Sequence, residues 1–303
     1  MSQDLKADIC VIGGGSAGLT IAAGASQMGA KTVLIEQGRM GGDCLNYGCV
    51  PSKSLLAAGK AAVFHRHAAA FGVGYAAPEI DFRAVQAHVQ GVIDAIAPHD
   101  SVGRFEGLGV TVIKAMARFV GPDTLVAGDS RVTARRFVIA TGSQPLVPPI
   151  PGLGGIPYLT NETVFALSEL PKSLLVIGGG PIGCELGQAF RHLGAEVAVV
   201  EMAGILPKDD PELVEVVRKR LLVDGLELLE GAQVAAAEKS GEGIALTIER
   251  DGKRERREAA ALLIAAGRRP TLDGLGLDAA GVATGKSGIE VDARLRTTNR
   301  KIF

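Results

Sequence analysis

Cysteine is scarce in this chain, and its scarcity excludes one class of protein. Only four of the 303 residues are cysteines, which is too few for a small secreted fold held together by disulfides. Cys10 and Cys184 lie far from any other cysteine, so we expect them to be small buried apolar residues. Cys44 and Cys49 are separated by only four residues. We therefore expect a reducing, cytoplasmic setting in which this close pair has a chemical role.

Long apolar runs and an excess of one charge are also missing. No apolar stretch approaches the ~18 residues that would indicate a membrane helix. The 32 Lys and Arg residues nearly cancel the 33 Asp and Glu residues, so we expect neither nucleic acid nor a membrane as partner. The charged run 253–258 is mixed in sign and follows Asp251-Gly252, which predicts a solvated hairpin. No metal site is predicted, because no ligand spacing is formed by the five histidines, His65, His67, His88, His99 and His192.

An internal repeat organises the chain. Residues 8–36 and 173–201 each read as a buried strand, a glycine turn, an amphipathic helix and a second buried strand that ends in a glutamate. Equivalent positions, such as Gly13 and Gly178, differ by 165. Apolar runs such as 174–177 are typical of parallel strands that are covered on both faces.

The glycines of each repeat have distinct physical tasks in binding a dinucleotide. The first allows the tight turn, the second lets the backbone approach a pyrophosphate, and the third lets the helix pack closely on the strand. The N-terminus of the following helix offers N–H groups and partial positive charge to the phosphates. Glu36 and Glu201 can then accept hydrogen bonds from ribose hydroxyls. Two copies in full context predict an α/β protein with two Rossmann-like dinucleotide-binding domains.

The segment between the repeats is less regular. Pro51 to Ala70 predicts a helix, and Ala261 to Ala266 predicts a last strand after the second repeat. Strands are also predicted over 110–119, 124–126 and 131–139, as a β-meander inserted in the first domain. The proline- and glycine-rich stretch 145–157 is the expected domain boundary.

Four further motifs give the chain a family resemblance. They are Gly41-Gly42 before Cys44, Pro51-Ser52-Lys53 after Cys49, Ala140-Thr141-Gly142, and Gly267-Arg268-Arg269-Pro270. With the two glycine loops, they resemble the class I pyridine nucleotide–disulfide oxidoreductases, which include dihydrolipoamide dehydrogenase, glutathione reductase and mercuric reductase. The matching elements run from about residue 8 to the end. Low-molecular-weight thioredoxin reductases are similar overall but carry a C-x-x-C in the second dinucleotide domain, which this chain lacks.

The resemblance implies a route for electrons. Members of the family pass hydride from NAD(P)H to FAD, then electrons to a redox disulfide and on to a disulfide, dithiol or metal-ion substrate. By position, Cys44 is the thiol that meets substrate and Cys49 the one against the flavin, with Lys53 and Glu185 paired beside it. Pro51 suits the first turn of a helix, so the helix dipole and Lys53 should favour the thiolate of Cys49.

The resemblance also divides the chain by cofactor: FAD at 1–149, NAD at 150–270, and a return towards the FAD domain at 271–303. The expected FAD contacts are Gly13, Gly15, Ser16, Gly18, Glu36, Gly42, Asp43, Ala117, Thr141 and Gly142. The expected NAD contacts are Gly178, Gly180, Pro181, Ile182, Gly183, Glu201, Val234 and Gly267. NADH is expected ahead of NADPH, because Glu201 repels a 2′-phosphate and no cation follows it before Lys208.

Two features depart from the family pattern. Asp43 stands where many relatives have threonine beside the flavin. The last residues, 298–303, resemble the start of a second flavin motif whose aspartate would follow. We therefore expect a longer homodimeric parent protein, whose C-terminal dimerisation domain supplies a His–Glu acid–base pair. By itself the chain is expected not to reduce disulfides, and it leaves the substrate open among lipoamide, glutathione and Hg(II).

Two other functions remain open. One is an NADH-dependent flavin reductase or transhydrogenase, whose chemistry would not need the cysteine pair. The other is a non-catalytic dinucleotide-binding module. The joint presence of Cys44, Cys49, Lys53 and Glu185 favours the disulfide oxidoreductase over both.

Overall fold

The computed structural model describes residues 3–68, 71–74 and 76–303. The helices are α1 (Ser16–Gln27), α2 (Gly42–Asn46), α3 (Cys49–Ala68), α4 (Phe82–Ile96), α5 (Val102–Gly107), α6 (Pro181–His192), α7 (Pro211–Val223) and α8 (Leu277–Ala280). The strands of the first half are β1 (Gln3–Ile12), β2 (Thr32–Ile35), β3 (Thr111–Ile113), β4 (Ala117–Gly121), β5 (Thr124–Ala127), β6 (Ser130–Ile139) and β7 (Ser143–Pro145). Those of the second half are β8 (Ser173–Ile177), β9 (Glu196–Glu201), β10 (Glu227–Glu230), β11 (Gln233–Ser240), β12 (Gly243–Arg250), β13 (Lys253–Ala259), β14 (Ala261–Ile264), β15 (Arg268–Pro270), β16 (Thr284–Gly285) and β17 (Gly288–Ile289).

The chain packs into two compact units. Unit 1 contains residues 1–46, 93–144 and 269–303, and unit 2 contains residues 47–92 and 145–268. Segment 47–92 therefore packs with the second half of the chain, although it lies between two segments of the first unit. The division into cofactor domains at 1–149 and 150–270 stays a prediction.

Unit 1 is built on a six-stranded sheet in the order β3-β2-β1-β6-β5-β4. The first four strands are parallel, while β4, β5 and β6 run antiparallel to one another as the predicted meander. Alternate residues of β1 face opposite sides of the sheet. Cys10 and Ile12 pack in one core with Phe137, and Val11 packs in another with Leu19 of α1. This sheet confirms the predicted α/β class for the first unit.

The last residues of the chain extend the same sheet. Ile302 is fully buried and pairs in parallel with Phe137 of β6. Phe137 N–H donates to Lys301 O at 2.9 Å, and Phe303 N–H donates to Phe137 O at 2.9 Å. Because β5 pairs only with the first half of β6, residues 301–303 occupy the side of β6 that β5 leaves open.

Unit 2 has a parallel sheet in the order β10-β9-β8-β14 and a separate antiparallel sheet, β11-β12-β13. A shared core joins them, with Leu175 and Ile177 of β8 packed in one cluster with Leu246 and Ile248 of β12. The charged run 253–258 lies in β13, which pairs with β12 across a turn at Asp251 and Gly252. The predicted hairpin is therefore confirmed.

Three predicted boundaries were wrong. The single strand 110–119 is two strands, because β3 continues the parallel sheet beside β2 while β4 runs antiparallel to β5. The helix predicted to begin at Pro51 begins at Cys49, and its predicted end at residues 69–70 lies outside the described residues. The strand predicted to reach Ala266 ends at Ile264. Among the described residues, none of the helices combines the length and apolar character needed to cross a membrane.

Candidate functional site

The first glycine loop, between β1 and α1, has no room for side chains at two positions. Gly13 has φ +110°, and a Cβ there would lie 2.2 Å from Ala140 O. A Cβ on Gly18 would lie 1.8 Å from Gly13 O, so the helix packs directly on the loop backbone. Gly15 is the N-cap of α1, immediately before Ser16, and no side chain caps this helix end. The loop therefore presents bare backbone at a helix N-terminus, which fits a pyrophosphate.

The second glycine loop, between β8 and α6, repeats this geometry within unit 2. Gly178 has φ +111°, and a Cβ there would lie 2.4 Å from Ala265 O. A Cβ on Gly183 would lie 1.9 Å from Gly178 O. Gly180 is the uncapped N-cap, and Pro181 and Ile182 begin α6. Both glycine loops thus form the same kind of cradle.

The two repeat glutamates are held in the same way. Glu36 Oε2 accepts from Gly14 N–H at 2.5 Å, and Glu201 Oε2 accepts from Gly179 N–H at 2.7 Å. The second oxygen of Glu201 accepts from Ala203 N–H at 3.0 Å. A carboxylate oxygen has two lone pairs, so each glutamate keeps acceptor capacity for a ribose hydroxyl.

A cleft in unit 1 gathers several of the predicted flavin contacts. Gly13, Glu36, Ala117 and Thr141 line it, together with Met116 and Asp273, which the sequence did not single out. The remaining predicted contacts Gly15, Ser16, Gly18, Gly42, Asp43 and Gly142 are not among its lining residues.

Gly42 lies beside the glycine loop. It has φ +57°, and a Cβ there would lie 2.6 Å from Gly15 Cα. Asp43 follows it in the first turn of α2 and is exposed. Four of the predicted flavin contacts of unit 1 thus line the cleft. The others lie in or beside the loop that follows β1, except Gly142, which lies in the turn after β6.

An apolar groove in unit 2 contains one predicted nicotinamide contact. Val234 lines it with Ile177 and Val200, and Met202 forms part of the rim as a largely exposed side chain. Gly267 lies elsewhere in this unit. It has φ +126°, and its carbonyl accepts from Leu146 N–H at 2.9 Å.

The four cysteines have different environments. Cys10 and Cys184 are buried, as predicted, and burial raises the pKa of their thiols to about 12 and about 11. Cys44 lies in α2 of unit 1 and is half-buried, and Cys49 is exposed as the first residue of α3 in unit 2. The residues predicted to react are therefore the two that solvent reaches.

Lys53 and Glu185 form the ion pair that the sequence predicted. Lys53 Nζ donates to both carboxylate oxygens of Glu185 at 2.6 Å, and the side chains are 59% and 37% exposed. Lys53 follows Cys49 by four residues on α3, so the two side chains share one face of the helix. Unit 2 thus holds the Lys53 ammonium one helical turn from the exposed Cys49.

Asn161 contacts the loop between the two paired cysteines, a contact that the sequence did not reveal. Its side chain is buried, and its Nδ2 donates to Tyr47 O at 3.2 Å, in the short loop between Cys44 and Cys49. Arg268 Nη1 donates to Asn161 Oδ1 at 3.3 Å. The Arg268 contact orients the amide so that its nitrogen faces the Tyr47 carbonyl. Asn161 is distant in sequence from the cysteines, so no local sequence pattern indicates this contact.

Metal ligands do not cluster in the part of the chain that the structure describes. Within residues 3–68, 71–74 and 76–303, no three His, Cys, Asp or Glu side chains are grouped to hold an ion. His192 instead lies against Asp224, with 3.0 Å between Nε2 and Oδ2. That there is no resident metal stays a prediction.

Comparison with known proteins shows the family of this chain. Residues 7–303 match the family model described as pyridine nucleotide-disulphide oxidoreductase. The chain is 38% identical over 298 residues to a mercuric reductase of Lysinibacillus sphaericus, covering 98% of this chain and 55% of that protein. It is 36% identical over 302 residues to a dihydrolipoyl dehydrogenase of Thermus scotoductus, covering 98% and 65%.

A solved structure is similar as well. The Cu(II) complex of the HOCl-induced flavoprotein disulfide reductase RclA from Escherichia coli matches with a TM-score of 0.84 and 27% identity, covering 98% of this chain and 65% of that one. The chain spans about half the length of the mercuric reductases that it matches.

Proposed function

Because this chain belongs to the pyridine nucleotide–disulphide oxidoreductase family, we propose that it serves an FAD-dependent enzyme that moves electrons between NADH and the Cys44–Cys49 pair. The observation that carries this proposal is the Lys53–Glu185 pair, held at 2.6 Å one helical turn after Cys49. An enzyme that only reduced flavin would not need a cysteine at that point. A binding module would need neither the cysteine nor the ion pair.

The chain's residues assign a task to each unit. In unit 1, the loop from Gly13 to Gly18 would hold the FAD pyrophosphate and Glu36 its adenosine ribose. In unit 2, the loop from Gly178 to Gly183 and Glu201 would do the same for NADH. FAD held by the first loop would supply the two-electron redox chemistry that links a reduced nicotinamide to a disulfide.

The dithiol step balances without any other reductant. One hydride from NADH and one proton convert one disulfide into two thiols and leave NAD⁺. Cys49 begins α3, and the N-terminus of a helix favours negative charge. The Lys53 ammonium lies on the same helix face, where Glu185 holds it in place and offsets part of its charge. Together they stabilise the thiolate that forms when the disulfide opens.

Cys44 is then the thiol that exchanges with substrate. We propose a disulfide, dithiol or metal-ion substrate, since the similar proteins include mercuric reductases, a dihydrolipoyl dehydrogenase and a Cu(II)-bound disulfide reductase. We also propose that the whole enzyme is a homodimer. A panel of Hg(II), lipoamide and glutathione disulfide, assayed with the full-length protein, decides among the substrates.

Differential alkylation tests the dithiol itself. The chain is loaded with FAD, reduced by NADH without oxygen, alkylated near neutral pH and mapped by mass spectrometry. We expect Cys44 and Cys49 to be joined before reduction and labelled after it. Cys10 and Cys184 should stay unlabelled under both conditions, because they are buried with raised thiol pKa values.

Serine variants provide the matched controls. Replacing Cys44 or Cys49 with serine should abolish the NADH-dependent labelling of the remaining partner and leave FAD binding intact. If NADH reduces the flavin but the labelling of Cys44 and Cys49 does not change, the result would support the flavin reductase instead. A main oxidised species that contains Cys10 or Cys184 would refute the pairing.

A further inference from the structure

An arginine lies beside the loop that follows Glu201, although the sequence shows no cation between Glu201 and Lys208. Arg218 belongs to α7, and its Nη2 would lie 3.5 Å from a Cβ placed on Gly204. Gly204 follows Ala203, whose N–H holds the Glu201 carboxylate at 3.0 Å. The fold therefore brings a guanidinium next to the segment that, under the proposed function, borders the adenosine ribose of the dinucleotide.

Each of the three guanidinium nitrogens of Arg218 donates to a carboxylate. Its Nε and Nη2 each donate to Glu230 at 3.0 Å, a bidentate contact, and its Nη1 donates to Glu215 at 2.7 Å. Arg218 and Glu230 are each 26% exposed. Hydrogen bonds from Arg218 lower the pKa of Glu230, despite the opposing effect of burial. The arginine is thus neutralised by two charged partners, with Lys219 making only a longer contact of 3.7 Å to Glu215.

Glu230 also fixes the loop. Its Oε1 accepts from Ile205 N–H at 2.7 Å, so the carboxylate that engages Arg218 holds the loop backbone as well. Two hydrogen bonds from the turn after β10 add to this anchor, from Gly231 N–H to Ala203 O at 2.9 Å and from Ala232 N–H to Glu201 O at 3.0 Å. The loop and the guanidinium therefore have a set geometry before any dinucleotide arrives.

We propose that Glu230, assisted by Glu215, determines specificity for the dinucleotide by occupying Arg218, which would otherwise pair with the 2′-phosphate of NADPH. This inference rests on the proposed function, because it takes NADH as the dinucleotide of unit 2. Arginine binds phosphate bidentately, so a freed Arg218 at this loop would be a ready phosphate partner. Discrimination against NADPH then has two sources: repulsion by Glu201 and sequestration of the neighbouring arginine.

Binding titrations of the purified chain test the proposal without any turnover. The chain has no tryptophan, so nicotinamide fluorescence reports binding of NADH and NADPH directly. We expect the unmodified chain to bind NADH more tightly. Glu230→Gln keeps the side-chain shape. It should lower the ratio of the NADPH Kd to the NADH Kd about tenfold, which corresponds to one charged hydrogen bond. The gain should come from tighter NADPH binding.

Three further variants make the result specific. Adding Arg218→Gln to Glu230→Gln should restore the original ratio, because the freed guanidinium is then gone. Glu215→Gln should shift the ratio in the same direction by a smaller factor. Glu249→Gln breaks an exposed pair with Arg254 elsewhere in unit 2 and should leave the ratio unchanged. Thermal melts establish that each variant is folded. If Glu230→Gln does not fold, the change in the ratio for Glu215→Gln tests the proposal instead.

The outcomes separate this inference from the proposed function. A chain that binds neither dinucleotide would refute the proposed function, and the inference with it. A chain that prefers NADH but keeps the same ratio in both Glu230→Gln and Glu215→Gln would refute the inference alone. An unmodified chain that prefers NADPH would refute the NADH assignment of the proposed function, and the inference with it.

Discussion

At the scale of single residues, two glycines of one helix contribute to stability in opposite ways, because one contacts other backbone atoms closely and the other does not. Gly18 and Gly24 both lie in α1. A Cβ on Gly18 would meet Gly13 O at 1.8 Å, whereas a Cβ on Gly24 would meet nothing within 4 Å. The first glycine is required by close contact between helix and loop, and the second only costs conformational entropy.

This contrast predicts opposite effects of one substitution. Gly18→Ala should lower the free energy of unfolding by roughly 1–3 kcal/mol, because the loop must move to admit the methyl group. Gly24→Ala should raise it by about 0.5–1 kcal/mol through better helix propensity. Urea unfolding of both variants measures this. Equal effects of the two substitutions would contradict the packing described for the first loop.

At the scale of elements, the ion pair depends on how closely α3 approaches α6. The approach is set by Gly59, where a Cβ would lie 3.1 Å from His192 Cβ and 3.2 Å from Ala189 O. Lys53 and Glu185 are presented by these same two helices. A larger residue at position 59 must therefore separate the elements that form the pair.

We expect Gly59→Leu to lower the melting temperature and to weaken NADH-dependent labelling of Cys49, because α3 is pushed away from α6. Overpacking of this kind costs typically ~1–3 kcal/mol. Gly91→Ala in α4 is the control, since nothing lies within 4 Å of its Cβ position, and it should be neutral or stabilising. Normal labelling in a destabilised Gly59→Leu protein would show that the helix spacing does not control the cysteine.

A buried carboxylate joins α6 to the end of α7. Asp224 accepts from Gln188 of α6 at 2.7 Å and from Arg220 of α7 at 2.8 Å. Burial alone would raise the pKa of Asp224, but the hydrogen bonds that it accepts from Gln188 and Arg220, together with the close contact of His192, outweigh burial and hold this pKa below the usual range. A pKa that is lower in the folded state contributes stability above the unfolded value and loses it as the pH falls through the folded value.

Asp224→Asn should therefore destabilise the protein at pH 7 by roughly 1–3 kcal/mol. The difference from the unmodified chain should shrink once the pH falls below about 3.9, the ordinary aspartate value at which the unfolded chain begins to take up a proton, and it should be lost as the pH falls through the lower pKa of the folded state. Chemical unfolding at several pH values provides the measurement. The exposed Asp251→Asn is the control and should change stability by less than ~0.5 kcal/mol. A difference that stays constant down to pH 3 would contradict the assigned pKa direction.

At the scale of the whole molecule, one design is used twice, once in each unit. Gly13 N–H donates to Ile35 O at 2.8 Å in unit 1, and Gly178 N–H donates to Val200 O at 2.9 Å in unit 2. Gly41 N–H donates to Gly14 O and Leu206 N–H to Gly179 O, each at 2.9 Å. The repeat seen in the sequence is thus also a repeat of backbone geometry, and each copy has its own surroundings.

Separate ligands should therefore protect separate units. In hydrogen-exchange mass spectrometry, NADH should slow exchange at 178–183 and 201–206, and FAD should slow it at 13–18 and 36–42. The physical reason is that each ligand covers the backbone N–H groups of its own glycine loop. Protection of the first loop by NADH, or of the second by FAD, would reverse the cofactor assignment.

The sequence by itself determined the elements whose signals are local. Glycine spacing and the apolar runs predicted both loops and the strand that each glutamate ends, because a tight turn and a buried strand leave direct marks on neighbouring residues. The Lys53–Glu185 pair was also predicted, but through resemblance to a family, since its partners are 132 residues apart. The break at 114–116 was missed because strand direction is set by the neighbouring strand and not by composition.

Only the tertiary structure decided which distant residues meet. Asn161 reaches the carbonyl of Tyr47, and Arg218 reaches Glu230 beside the Glu201 loop, yet nothing in their sequence neighbourhoods indicates either contact. The packing of 47–92 with the second half of the chain was equally invisible. The physical reason is the same throughout: periodicity and turn chemistry act over a few residues, whereas hydrogen bonds and ion pairs form wherever folding brings donors and acceptors together.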